Sequence, residues 1–79
     1  MEGKLIPLNK LPLGSVCIVE KLIAEGINRR RLLDLGLING TILKALMKSP
    51  SGDPVAYKIR GAVIALRAED ASMILVEQI

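Results

Sequence analysis

Histidine, phenylalanine and tryptophan are absent from this chain, and cysteine and tyrosine occur once each, as Cys17 and Tyr57. Without histidine no Ser-His or Cys-His nucleophile pair can be assembled, and the usual general base near neutral pH is missing, so the composition argues against an enzyme. A structural zinc site needs several thiolate or imidazole ligands, which a lone cysteine cannot supply. With one aromatic side chain, the chain lacks both the aromatic groove that SH3 domains use for proline-rich peptides and the stacking platforms of single-strand nucleic-acid barrels. Cys17 cannot close an internal disulfide; set in an apolar run, it is expected to be a buried, inert thiol in a cytoplasmic protein. The longest apolar stretch, about six residues around Gly61 to Leu66, falls far short of the ~20 of a spanning helix. No apolar segment of a secretory leader follows Met1-Glu2-Gly3-Lys4, so direct membrane insertion is not expected. The glycines at 14, 26, 36, 40, 52 and 61 form neither a Walker A loop nor a G-x-G-x-x-G pattern.

What is present is aliphatic. Of 79 residues, 28 are Ile, Leu or Val, enough for one small core, so residues 1–79 are read as a single domain. A net charge of +3 is too modest to drive phosphate binding. Short apolar runs alternate with turn signals at spacings of roughly 8–12 residues, the rhythm of a small barrel. After Pro12-Leu13-Gly14, the run Ser15 to Ala24 reads as a strand in which Glu20 and Lys21 break the alternation and suggest a bulge. A two-turn helix follows from about Arg29 to Leu35. Asn28 suits its N-cap, with Ile27 and Leu32 spaced as a hydrophobic staple, and Gly36 suits its C′ position, with Leu37 meeting Leu32 in a Schellman closure. Thr41 to Lys48 and Val55 to Arg60 form a hairpin across the turn cluster Ser49 to Pro54, with Tyr57 in the core or at its edge and its hydroxyl at the surface. Ala62 to Leu66 is a further strand, Arg67 to Ser72 a helical turn, and Met73 to Glu77 the last strand. The expected fold is mainly β: a partly open SH3-like or OB-like barrel of about five antiparallel strands, with one short α-helix between strands 1 and 2 and a helical turn before the last strand.

Two groups of side chains stand out. Arg29, Arg30 and Arg31 at the expected start of the helix and Asp34 at its end all oppose the helix dipole, and the Arg30 to Asp34 order is the weaker arrangement of an i,i+4 pair. Local stability does not account for those charges; they are either a solvated surface or a site for recognition of something acidic. Asp53, Glu69 and Asp70 are the candidate oxygen ligands for a weakly bound divalent transition metal; no other cofactor is indicated. A plainer reading makes Glu69 and Asp70 favourable charges in the first turn of a short helix and Asp53 a turn former.

The stretches Arg31-Leu32-Leu33-Asp34-Leu35-Gly36-Leu37 with Gly40-Thr41, then Ser49-Pro50-Ser51-Gly52-Asp53-Pro54-Val55-Ala56-Tyr57-Lys58-Ile59-Arg60-Gly61, then Ile64-Ala65-Leu66-Arg67 with Asp70-Ala71, resemble the FeoA family of ferrous iron transport proteins A, from about Leu8 to the C-terminus. The resemblance implies an SH3-like barrel without enzyme activity. It would work in the cytoplasm beside FeoB, a membrane protein that carries Fe(II) inward and bears a cytosolic GTP-binding domain. A related domain ends some iron-dependent repressors, but this chain has no helix-turn-helix segment. On this footing Arg29, Arg30 and Arg31 become a docking surface for the cytosolic part of FeoB, with Leu33 or Leu37 as apolar anchor. Arg60 and Arg67, at matching motif positions, form a second candidate surface. The expected protein is a monomer or weak homo-oligomer, recruited to the inner face of the membrane through its partner. The alternatives are a metal-binding sensor or chaperone and, behind it, a basic nucleic-acid-binding barrel.

Overall fold

A computed structural model describes residues 4–79; Met1, Glu2 and Gly3, considered above for a leader, lie outside the described residues. Six strands form one antiparallel sheet: β1 Leu5–Pro7, β2 Val16–Leu22, β3 Ile42–Lys48, β4 Val55–Ile59, β5 Ala62–Leu66 and β6 Ile74–Gln78, in the order β1-β6-β2-β3-β4-β5. A 3-10 turn, Leu8–Lys10, follows β1. Helix α1 spans Gly26–Asp34 and α2 spans Ala68–Ala71. The expected partly open barrel of five strands is corrected in strand count and in helix position. Six strands form the sheet, and it is not closed, β1 and β5 being free edges among the described residues. The extra strand β1 moves the main helix from between strands 1 and 2 to between β2 and β3. With three residues and Pro7 at its end, β1 is too short to show a period of two, and it exists because it pairs with β6.

The bulge expected in β2 is present: pairing with β6 jumps from Val19 to Lys21, leaving Glu20 as the extra residue. A second jump, from Ala45 to Met47, sends Met47 outward at 64% exposure. Inside, Leu8, Cys17, Val19, Leu32, Leu37, Leu43, Tyr57, Ile74 and Val76 are fully buried or nearly so. Tyr57 is thus a core residue. Among the described residues its hydroxyl makes no hydrogen bond and no buried side-chain polar atom lacks a partner, so the oxygen still reaches solvent.

The two ends of α1 fared differently. At the C-terminus Gly36 adopts φ +94° and donates to the Leu33 carbonyl at 2.9 Å, while Leu37 donates to the Leu32 carbonyl at 3.1 Å, the expected Schellman closure over two buried leucines. Thr41 reinforces it, its hydroxyl donating to the Gly36 carbonyl at 2.9 Å. The N-terminus is corrected. The helix starts at Gly26, Glu25 occupies the cap position without a side-chain bond, and Asn28 instead accepts from Arg31 Nη1 at 3.3 Å. Ile27 is 80% exposed, so no staple forms. Ile23 donates to the Met73 carbonyl at 2.8 Å, holding the chain beside β6 past the end of β2, and Gly26, at φ +62°, turns it into the helix two residues before Asn28. Arg29 consequently ends the first turn and Arg31 opens the last, where a cation suits the dipole, and the conflict shrinks.

Candidate partner-binding surfaces

On α1 the arginines have separate duties. Arg29 donates to the Leu22 carbonyl at 3.2 Å and lies over the end of β2. Arg31 reaches Asp70 on α2 at 3.2 Å, joining the two helices. Arg30 is exposed and has no ion pair among the described residues; Asp34, its expected i+4 partner, does not engage it. Beside Arg29 runs a groove of about 390 Å³ between α1 and the β2 bulge, with Leu22, Leu33 and Ile38 on its apolar side and Glu20, Lys21 and Asn39 at its rim. Asn39 fixes this loop by donating to the Glu20 carbonyl at 2.7 Å. Leu33 is half-buried and accessible as an anchor, whereas Leu37 is fully buried and offers a partner no surface. Its place is taken by Ile38, 43% exposed.

Arg60 and Arg67 do not share a surface. They flank the two ends of β5, separated by its five residues, roughly 17 Å of extended chain. Arg60 stands at φ +51° in the two-residue turn Arg60-Gly61 that joins β4 to β5, with its side chain close to Gly36 at the end of α1. Arg67 precedes α2 and lies 3.7 Å from Asp53.

The candidate metal ligands are likewise dispersed in role. Asp53 Oδ1 accepts from the Ala68 main-chain N–H at 2.8 Å, so it caps α2 from 15 residues upstream. Asp70 is paired with Arg31, and Glu69 is exposed on α2. Among the described residues no three His, Cys, Asp or Glu side chains converge as a metal site.

A surface the sequence did not assemble lies on the outer face of β2 to β5. In one row across the sheet Val16 pairs with Lys44, Lys44 with Lys58, and Lys58 with Val63. Two lysines thus stand directly opposite one another, an arrangement that costs stability. Arg60 and Ile42 join them around a cavity of about 290 Å³, with Ile42 at 56% and Val63 at 64% exposure. Neither lysine nor Arg60 is ion-paired among the described residues. The nearest acid in register is Glu77, opposite Ile18, which in turn faces Ile42. Lys58 and Arg60 were visible in the sequence as the polar side of one strand; their union with Lys44 depended on the β3–β4 register.

The comparisons with known proteins agree with this architecture. A Fe(2+) transport protein A/Fe(2+) transporter FeoB fusion protein of Porphyromonas gingivalis is 33% identical over 72 residues, which are 91% of this chain and 8% of that protein. The chain therefore spans only a small part of that curated relative. A FeoA-like protein of Clostridium acetobutylicum, solved by NMR, superposes with a TM-score of 0.87 at 36% identity, over 98% of this chain and 88% of that one. A Stenotrophomonas maltophilia FeoA complexed with zinc, described as a prokaryotic SH3 domain protein, gives a TM-score of 0.80 at 29% identity, over 91% and 93% of the two chains. The six-stranded open sheet is accordingly of SH3-like type. Since the FeoA domain family also matches residues 6–78, nearly the whole described structure, the chain belongs to the FeoA family.

Proposed function

We propose that the protein is a non-enzymatic accessory of ferrous iron uptake that binds the cytosolic part of an FeoB-type transporter through a basic, partly apolar surface and regulates it. The observation that carries the reading is the Lys44–Lys58 pair with Arg60, three cations without an ion pair among the described residues, beside exposed Ile42 and with exposed Val63 opposite Lys58. Such an arrangement costs the free protein stability and suits an acidic segment with an apolar residue at its centre. The fusion relative, in which one chain carries both proteins' names, supports association of the two. Among the described residues no helix is long and apolar enough to cross a membrane, so the partner supplies the membrane contact. The α1 groove, with uncommitted Arg30 beside Leu33, is the second surface.

The test is titration of the isotope-labelled protein with the soluble cytosolic portion of an FeoB-type transporter, loaded with GDP and with a GTP analogue, while backbone amide shifts are followed. Shifts are expected on β3 and β4 around Ile42, Lys44, Lys58 and Arg60. The double substitution Lys44→Ala and Lys58→Ala should leave the fold intact and weaken binding about tenfold at low salt, with a smaller difference at high salt. Unchanged affinity at low salt overturns the assignment of the surface. Shifts confined to residues 29–38, with loss on Arg30→Ala, transfer the role to α1.

A further inference from the structure

We propose that the free edge of β5 joins two copies of this chain into a symmetric dimer through an antiparallel β5–β5 pair. The two edges of the sheet are treated differently by the sequence. β1 is protected: it has three residues, ends in Pro7, which lacks an N–H, and turns at once into a 3-10 turn. β5 is longer and has no proline, although α2 follows it after one residue. Its five residues, Ala62-Val63-Ile64-Ala65-Leu66, carry no charge and no proline, and their pairing with β4 runs without a bulge. Because Ile59 and Ala62 close the two-residue turn, the alternation of the ladder points the N–H and C=O groups of Val63 and Ala65 away from β4, where no described residue pairs with them. Both residues are exposed.

These groups are self-complementary. A twofold axis at Ile64 sets Val63 opposite Ala65 of the second copy and the reverse, forming four main-chain hydrogen bonds and packing a larger side chain against a smaller one on the outer face. Ile64, half-buried behind Tyr57, meets its own counterpart on the inner side. Charge fits the antiparallel sense as well. The turn end of β5 carries Lys58 and Arg60, while at its other end Lys48, in register with Val55 and Leu66, and Arg67 are offset by Asp53 and Glu69. Antiparallel pairing sets each basic end beside a neutral one; a parallel pair would superpose the two basic ends. The contact is small, so the dimer is weak.

Sedimentation equilibrium between roughly 10 µM and 1 mM, the range in which so small an interface associates, tests the proposal. The protein is expected to pass from monomer to dimer. Val63→Lys, at an exposed position, should reduce association at least about tenfold with an unchanged circular dichroism spectrum. Ala65→Pro, which removes an outward N–H, should act likewise, and Val63→Lys decides the matter if the proline variant does not fold. A chain that stays monomeric throughout this range, or a dimer that Val63→Lys leaves as strong as before, overturns the proposal.

Discussion

Cys17 is the most completely buried ionisable group on the sheet, at 0% exposure, and removal from water pushes its thiol from 9.0 up to about 11, opposed only in part by a main-chain bond at Leu43. Tyr57 is raised in the same direction, first by burial and then by the negative charges of Cys17 and Asp53. For such groups the folded state holds the proton more tightly than the unfolded one. For Cys17 the contribution to stability is therefore complete below pH 9 and lost as pH rises through about 11. For Cys17 alone the loss is on the order of 3 kcal/mol. Urea unfolding followed at about pH 8 and about pH 11 should show it, with Cys17→Ala flattening the decline though somewhat less stable at neutral pH. A decline of the same size in Cys17→Ala would assign it to other groups. In the native protein Cys17 should also resist alkylation at neutral pH, as the sequence suggested of a lone cysteine in an apolar strand.

Helix α2 has four residues, too few to hold itself, and it is organised by contacts from elsewhere: Asp53 caps its first N–H and Arg31 holds Asp70. Asp53→Ala should lower stability by about 1 kcal/mol, the usual cost of a lost N-cap, and Asp53→Asn should recover most of it. Denaturant midpoints of the two variants measure this; a ligand role for Asp53 would predict no difference between them without metal. That cap also marks what sequence reading can reach. The Gly36 closure of α1 was legible because Leu32, Leu33, Gly36 and Leu37 settle it within six residues, and the Glu20 bulge because it interrupts a local alternation. Asn28 looked like a cap by the same local logic, but the helix starts two residues earlier, at Gly26 with φ +62°. The Lys44–Lys58 pair and the cap from Asp53 to Ala68 depend on strand register, which no window of adjacent residues contains.

At the scale of the molecule, stability is unevenly distributed. β2, β3 and β6 are each paired on both sides and contribute Cys17, Val19, Leu43, Ala45, Ile74 and Val76 to the core. Helix α1 buries only Leu32, lacks a side-chain N-cap, leaves Ile27 in solvent, and is tied down by Arg29 to the Leu22 carbonyl and by the Arg31–Asp70 pair. Arg31 itself is over half exposed, so its bridge to Asp70 adds at most about 1 kcal/mol. Local opening of α1 should therefore need less free energy than global unfolding, with the Schellman closure and Thr41 holding its C-terminal turn longest. Native-state hydrogen exchange should find the slowest amides where β2 meets β3 and β6, and those of residues 29–33 exchanging at least about tenfold faster through an opening that exposes little surface. Arg31→Ala should speed α1 further and leave the β2 amides unchanged. Identical opening free energies for α1 and β2 would show instead that the helix is part of the cooperative unit. The basic face of β3 and β4 would then rest on a scaffold that includes α1, and Arg31→Ala would slow exchange nowhere while destabilising the whole.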